Sequence, residues 1–275
     1  MKISIICIVE NTASGDLLGE HGLSFLVETE RNRILFDTGA GHVFAHNASK
    51  LRISQKSIDS LVLSHGHYDH TGGIKDALPY LKENAKIYFH PAALEPKYSH
   101  RPDGFAYIGI SEENKRLLME LKGEKIPLRN SHEIAEGIWT SGEVERNCQE
   151  EVSGSKFFLD PEGTREDLLI DDLSLFIRTE KGLLVLGGCC HSGPVNTMEQ
   201  AVRQFPSEGI LGFIGGTHLV DADEKRVLST SDYFSSHGLE LIAPCHCTGE
   251  IAKAMLFCEN RNAYCFCSTG SLFRF

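Results

Sequence analysis

The sequence predicts an α/β protein in which two mixed β-sheets lie face to face with helices on their outer faces, a four-layered αββα sandwich. Three observations carry this expectation. The chain has 275 residues, 41% apolar and 24% charged, which suits a single domain over 1–275 with a sizeable core. Short runs of β-branched and aromatic residues alternate with segments whose apolar side chains recur at helical spacing. Strands followed by helices then occur twice in similar order, with no low-complexity segment and no short repeat.

In the first half, residues 2–9, 22–28 and 33–36 read as strands, each a short apolar run rich in β-branched or aromatic residues. A helix is expected over 41–51, and an apolar strand over 58–63 delivers His65 at its end. Residues 73–80 read as helical, 85–90 as a strand, and 111–122 as a helix with Leu117, Leu118 and Leu121 at helical spacing. Between the last two, residues 91–110 hold three prolines and two glycines. They are expected to form a long loop over a site, where Tyr98, Arg101 and Tyr107 would meet an anionic or aromatic substrate or simply face solvent.

The second half begins again with strands at 137–140, 155–159, 173–179 and 183–186 and a helix at 194–205. Strand 210–214, helix 223–237, strand 240–243 and helix 248–257 follow.

A net charge of −11 leaves no Lys/Arg excess for polyanions. Neither nucleic acid nor a membrane is therefore expected as a partner. The opening apolar run ends at Glu10 and is too short to span a bilayer. Nine cysteines, an odd number without a secretory signal, read as reduced thiols in a cytoplasmic setting. Nothing in the sequence specifies an oligomeric state.

Chemistry concentrates in Ser64-His65-Gly66-His67-Tyr68-Asp69-His70-Thr71-Gly72-Gly73, directly after an apolar strand. Imidazole nitrogen and carboxylate oxygen are the usual donors of catalytic zinc. His65 and His67 are two residues apart and point the same way in an extended loop, whereas Asp69 and His70 follow where the chain turns into a helix and can face a second ion. Surface histidines or a tag-like tract would not sit between a buried strand and a Gly-Gly helix start.

Two later strands end in further donors: Gly187-Gly188-Cys189-Cys190-His191-Ser192-Gly193 and Pro244-Cys245-His246-Cys247-Thr248-Gly249. His191 and His246 are the candidate ligands there. The first segment resembles the H-x-H-x-D-H signature of the metallo-β-lactamase superfamily, which implies the αββα fold and a last ligand from the position of His246. Together with Phe36-Asp37-Thr38-Gly39 and Gly215-Gly216-Thr217-His218-Leu219, the order of blocks is similar over nearly the whole chain to one branch of that superfamily. This is the branch of the archaeal 7,8-dihydropterin-6-methyl-4-(β-D-ribofuranosyl)-aminobenzene-5'-phosphate synthases.

The sequence departs from the common family pattern twice. Where a mid-chain His usually completes the first metal site it has Thr140-Ser141-Gly142-Glu143, and where an Asp usually bridges the ions it has Cys189. Either Cys189, His191 and Glu143 build the site, or one ion is bound weakly. A thiolate ligand favours zinc or ferrous iron over magnesium.

The resemblance implies two Zn²⁺, with Fe²⁺ or Mn²⁺ as alternatives: His65, His67 and His191 on one ion, and Asp69, His70 and His246 on the other. Such a pair activates a shared water for hydrolysis of a small phosphorylated or pterin-like molecule, so the resemblance also implies an anionic small-molecule substrate as the partner. Asp69 would also orient the nucleophile, and His218 would contact phosphate or donate a proton. Asp37 is expected to orient a ligating His, and His90 to be structural. A four-cysteine zinc from Cys245, Cys247, Cys265 and Cys267 is disfavoured by the one-residue spacings. The competing functions are a synthase-type transferase, a di-iron redox or oxygen-handling protein, and a metal sensor without turnover.

Overall fold

Ser4–Val9 (β1) is the strand expected at the start of the chain, and it pairs antiparallel with Ser24–Glu28 (β2) on one side and Leu272–Arg274 (β16) on the other. The computed structural model describes residues 2–148, 151 and 157–275. Their contacts divide the chain into two units.

The first unit comprises Met1–Arg129, Lys156–Asp171 and Ser268–Phe275. Arg33–Phe36 (β3), Ile58–Val62 (β4), Leu81–Phe89 (β5) and Lys125–Pro127 (β8) extend its sheet in the order β16-β1-β2-β3-β4-β5-β8. From β3 to β8 the strands are parallel. One face, with Leu26, Leu35, Leu61 and Ile87, packs on Phe44 and Ala48 of helix α1 (Phe44–Lys50). Ile74 and Ala77 of α3 (Ile74–Ala77) join that cluster, as does Leu118 of α4 (Glu112–Glu120). The alternate residues Phe25, Ile34, Phe36 and Val62 are fully buried too, and for Ile34, Phe36 and Val62 that is the burial on both faces usual for parallel strands.

Residues 91–110 are not the loop expected from their prolines. Tyr98–Arg101 (β6) and Gly104–Tyr107 (β7) form a hairpin, and Phe157–Phe158 (β11) adds a third strand. Pro91, Pro96 and Pro102 lie outside the strands, which leaves the ladder its donors, and the aromatic pairs Tyr98–Tyr107 and His100–Phe105 face each other across it. Tyr98 and Tyr107 are thus partly spent on each other. The strand expected at 155–159 begins outside the described residues and is seen as β11.

The second unit comprises Asn130–Ser155 and Asp172–Cys267. Its sheet runs β15-β14-β13-β12-β10-β9, from Leu241–Cys245 (β15), Ile210–Gly216 (β14), Gly182–Gly187 (β13), Ser174–Thr179 (β12), Ile138–Gly142 (β10) and Asn130–Ala135 (β9). Strands β13, β14 and β15 are parallel and the others antiparallel. Met198 and Ala201 of α5 (Pro194–Gln204), Val227 and Phe234 of α6 (Glu224–Ser236) and Ala252 and Leu256 of α7 (Glu250–Glu259) cover Phe176, Val185 and Phe213.

Strand β9 went unseen in the sequence because it is a mostly exposed edge without apolar alternation. The mixed sheets with helices match the α/β class expected. Among the described residues no helix is long and apolar enough to cross a membrane, and no disulfide joins any of the nine cysteines.

Candidate functional site

In both units the donors sit just past the carboxyl ends of parallel strands, where side chains converge without ladder constraints. In the first unit, Asp37 follows β3 with a left-handed backbone, φ 62°, which a non-glycine residue adopts only when its surroundings hold it there. Its Oδ1 accepts from Ser64 N at 2.7 Å, and its Oδ2 accepts from Ser64 Oγ at 2.6 Å. The same Oδ2 lies 2.7 Å from His70 Nδ1. A carboxylate there keeps the ring proton on Nδ1 and leaves Nε2 as the donor atom towards a metal.

His70 lies in the short helix α2 (Tyr68–Thr71), and its carbonyl accepts from Thr38 N at 2.8 Å and Thr38 Oγ1 at 2.9 Å. His65 Nδ1 lies 2.9 Å from Ser64 Oγ. The His65 ring centroid is 4.5 Å from that of His67 and 4.2 Å from that of His70, and Asp69 Oδ2 is 3.9 Å from His70 Nε2. His65, His67, Asp69 and His70 are therefore gathered, all buried. Burial lowers the pKa of His67 to about 3 despite the nearby Asp69 carboxylate, so the ring is neutral and keeps its donor lone pair at physiological pH.

Two features of this unit escaped the sequence reading. Lys97 is fully buried and pairs with Asp167 at 2.7 Å and Asp171 at 3.0 Å, while Asp171 Oδ2 accepts from Gly66 N, between His65 and His67, at 2.9 Å. Burial pushes the Asp171 carboxyl up, but the Lys97 charge outweighs it and holds the group below the ordinary value. A Cβ at Gly66 would strike the carbonyl of Ala93 and the Lys97 chain, so only glycine lets the loop lie there. His21, given no role from sequence, places Nε2 3.2 Å from Asp69 Oδ2. No local signal marks either contact.

In the second unit, β13 leads to Cys189, Cys190 and His191, β14 to His218, and β15 to His246 and Cys247. Cys190, His218 and His246 have left-handed backbones, with φ of 50°, 48° and 51°. The adjacent thiols part company there. Cys190 enters the core, its Sγ 3.8 Å from Ser174 Oγ, and burial raises its pKa well above the ordinary thiol value.

Cys189 instead gathers with His218 and Cys247, their ligand atoms all within 4.8 Å of one another. His191 and His218 have ring centroids 4.3 Å apart, and His246 is buried. Burial opposes a thiolate at Cys247, yet hydrogen bonds with Cys189 and His218 and the imidazoles of His246 and His218 hold its pKa well below the ordinary value. Asp172, also missed, accepts from Ser192 N at 2.8 Å and steadies the residue after His191; burial raises its pKa to about 6.

Glu143 is exposed and joins none of the candidate donor groups among the described residues, whereas Cys189 and His191 do. Cys247 groups with Cys189 and His218 rather than with Cys265 and Cys267. His90 is buried, and its Nδ1 accepts from Ala92 N at 3.1 Å. Buried imidazoles, a carboxylate and thiols are the donor types that hold zinc or ferrous iron, so the residues fit a metal ion.

Residues 18–165 match the sequence profile of the Metallo-beta-lactamase superfamily. The chain is 31% identical, over 100% of its length and 97% of the relative's, to the 7,8-dihydropterin-6-methyl-4-(beta-D-ribofuranosyl)-aminobenzene-5'-phosphate synthase of Methanocaldococcus jannaschii. It is 34% identical to an uncharacterized protein of the same organism, over 94% of this chain and 95% of that one. Among solved structures it resembles Tm1679, described as a metal-dependent hydrolase of the beta-lactamase superfamily, with TM-score 0.83, 31% identity and 98% of both chains covered. A diphosphatase from the PhnP family, at TM-score 0.57 and 14% identity over 100% of this chain and 98% of that one, shares the fold.

Proposed function

The chain belongs to the metallo-β-lactamase superfamily, and from this we propose that it is a metal-dependent hydrolase of a small, anionic, phosphorylated or pterin-like molecule. The observation that carries the reading is the segment His65–His70 at the end of β4, where buried imidazoles gather beside Asp69 and His70 is oriented by Asp37. The proposed ligands are His65, His67, Asp69, His70, Cys189, His191 and His246. Bound there, two divalent ions such as zinc would supply Lewis acidity and bring a water's pKa towards neutrality.

The chain's own residues do the remainder. Asp37 keeps the proton on His70 Nδ1, and the buried His67 stays neutral at working pH. Asp171 holds the backbone between His65 and His67 through Gly66 N. Asp69 orients the attacking water, and His218 contacts a phosphoryl oxygen or donates the leaving-group proton. The full-length likeness to a synthase supports a second reading, transfer of a pterin-bearing group with loss of diphosphate. Polarised phosphoryl oxygens serve either outcome.

The test measures metal per chain for wild type, His67→Ala and His191→Ala, followed by assays with phosphoesters and with a pterin diphosphate, with and without an aryl ribofuranosyl phosphate acceptor. About two zinc per wild-type chain, a loss in each variant and phosphate release support the hydrolase. Acceptor-dependent diphosphate release moves the assignment to the transferase, about two iron moves it to redox chemistry, and no metal in any preparation overturns the reading.

A further inference from the structure

Three parallel strands of the second unit each end in a side chain with a soft or borderline donor: Cys189 beyond β13, His218 beyond β14 and Cys247 beyond β15. Their ligand atoms lie within 4.8 Å of one another, and Cys189 and Cys247 are buried. A tetrahedral zinc with bonds of about 2.3 Å to sulfur and about 2.0 Å to nitrogen sets its ligands roughly 3.5–3.8 Å apart, inside that envelope.

The surroundings are built for the sulfur atoms. A Cβ at Gly216 would stand 2.6 Å from Cys247 Sγ and 3.3 Å from Cys189 Cα, so the bare glycine makes room for both residues at the end of β14. The backbone N–H of His218 donates to Cys247 Sγ at 3.3 Å, the kind of outer hydrogen bond that steadies a ligating sulfur. The left-handed backbone at His218 lets one residue supply both that N–H and its ring.

We propose that Cys189, His218 and Cys247 form a binding site for a thiophilic metal ion, zinc or ferrous iron by class, held entirely by the second unit. Two thiols with one imidazole select such ions over magnesium or calcium, which take oxygen ligands. The site shares Cys189 with the ligands proposed above and, with an ion bound, takes His218 out of the phosphate-contacting or proton-donating role; it does not depend on the hydrolase reading.

The experiment uses the full chain carrying His65→Ala and His67→Ala, titrated with Co²⁺ as a spectroscopic substitute. At least one Co²⁺ per chain is expected to bind with thiolate-to-cobalt charge-transfer absorption, since Asp69, His70 and His246 remain for another ion, and Cys247→Ser in the same background weakens binding at the absorbing site by about tenfold or more. Circular dichroism of the metal-free variants checks folding. Should Cys247→Ser not fold, wild-type chain is alkylated with and without Zn²⁺ and read by mass spectrometry. Zinc is expected to shield Cys189 and Cys247 but not the exposed Cys258. A missing charge-transfer band, a band unchanged by Cys247→Ser in folded protein, or equal alkylation of both thiols with and without zinc overturns the site. Absence of turnover by the wild-type chain with the band intact in the variant would sink the hydrolase alone.

Discussion

The two units solve one problem by different means. Each brings candidate metal-binding side chains to the ends of parallel strands, but the first relies on imidazole rings and the second pairs imidazoles with thiols. A ring binds a metal through one nitrogen in one plane, so its rotation must be set. In the first unit side chains set it: Asp37 holds His70, Ser64 stands against His65, and the Lys97–Asp171 pair anchors Gly66 between His65 and His67. A thiol has no plane to orient, and in the second unit backbone conformation does most of the placing, through left-handed Cys190, His218 and His246 and the bare Gly216. Substitutions that delete a polar partner should therefore damage the first set and spare the second.

The largest expected effect is that of Lys97→Met, which leaves Asp167 and Asp171 buried without their counter-charge. Removing one partner of a buried pair costs about 3–5 kcal/mol, read as a shift in the urea midpoint at neutral pH. Because Lys97 holds Asp171 below its ordinary value, the wild-type contribution is complete above about pH 4 and fades as acid protonates Asp171. The Co²⁺ band from Cys189 and Cys247 should survive in the folded variant. Loss of that band with the midpoint unchanged would break the contrast between the units.

Next in size is Asp37→Asn, in which an amide can no longer accept at once from Ser64 and from His70 Nδ1. Metal affinity measured by chelator competition should fall about 10–100-fold, the usual scale for an outer partner of a ligating histidine. Unchanged affinity would mean that His70 needs no orienting group and that the two sets behave alike.

Asp172→Asn sharpens the contrast from the other side, since Asp172 is the carboxylate of the second unit that burial disfavours. Its folded pKa of about 6 lies above the unfolded value, so stability is greatest below about pH 4 and falls as pH rises through about 6. The asparagine variant still accepts from Ser192 N and should gain on the order of 2 kcal/mol in metal-free protein at about pH 8, with no gain at about pH 4. Equal midpoints at the higher pH would show that Asp172 ionises there without cost.

The sequence by itself determined the fold class and the strand that delivers His65, because hydrophobic period and turn chemistry act over a few residues. The dense run from His65 to His70 needed no partner to be noticed. Tertiary structure decided what depends on distant pairing. Prolines that read as a loop over 91–110 bracket a hairpin whose aromatic pairs form only when its strands meet. Lys97, a charge that sequence places at the surface, is buried because Asp167 and Asp171, 70 and 74 residues away, neutralise it. Cys189 and Cys190 are indistinguishable in composition, and which one joins His218 and which the core was settled by one backbone angle at Cys190 and by the helices packed behind it. Such choices lie outside local sequence because they are made by sulfur, carboxylate and ammonium groups that meet only after the strands have paired.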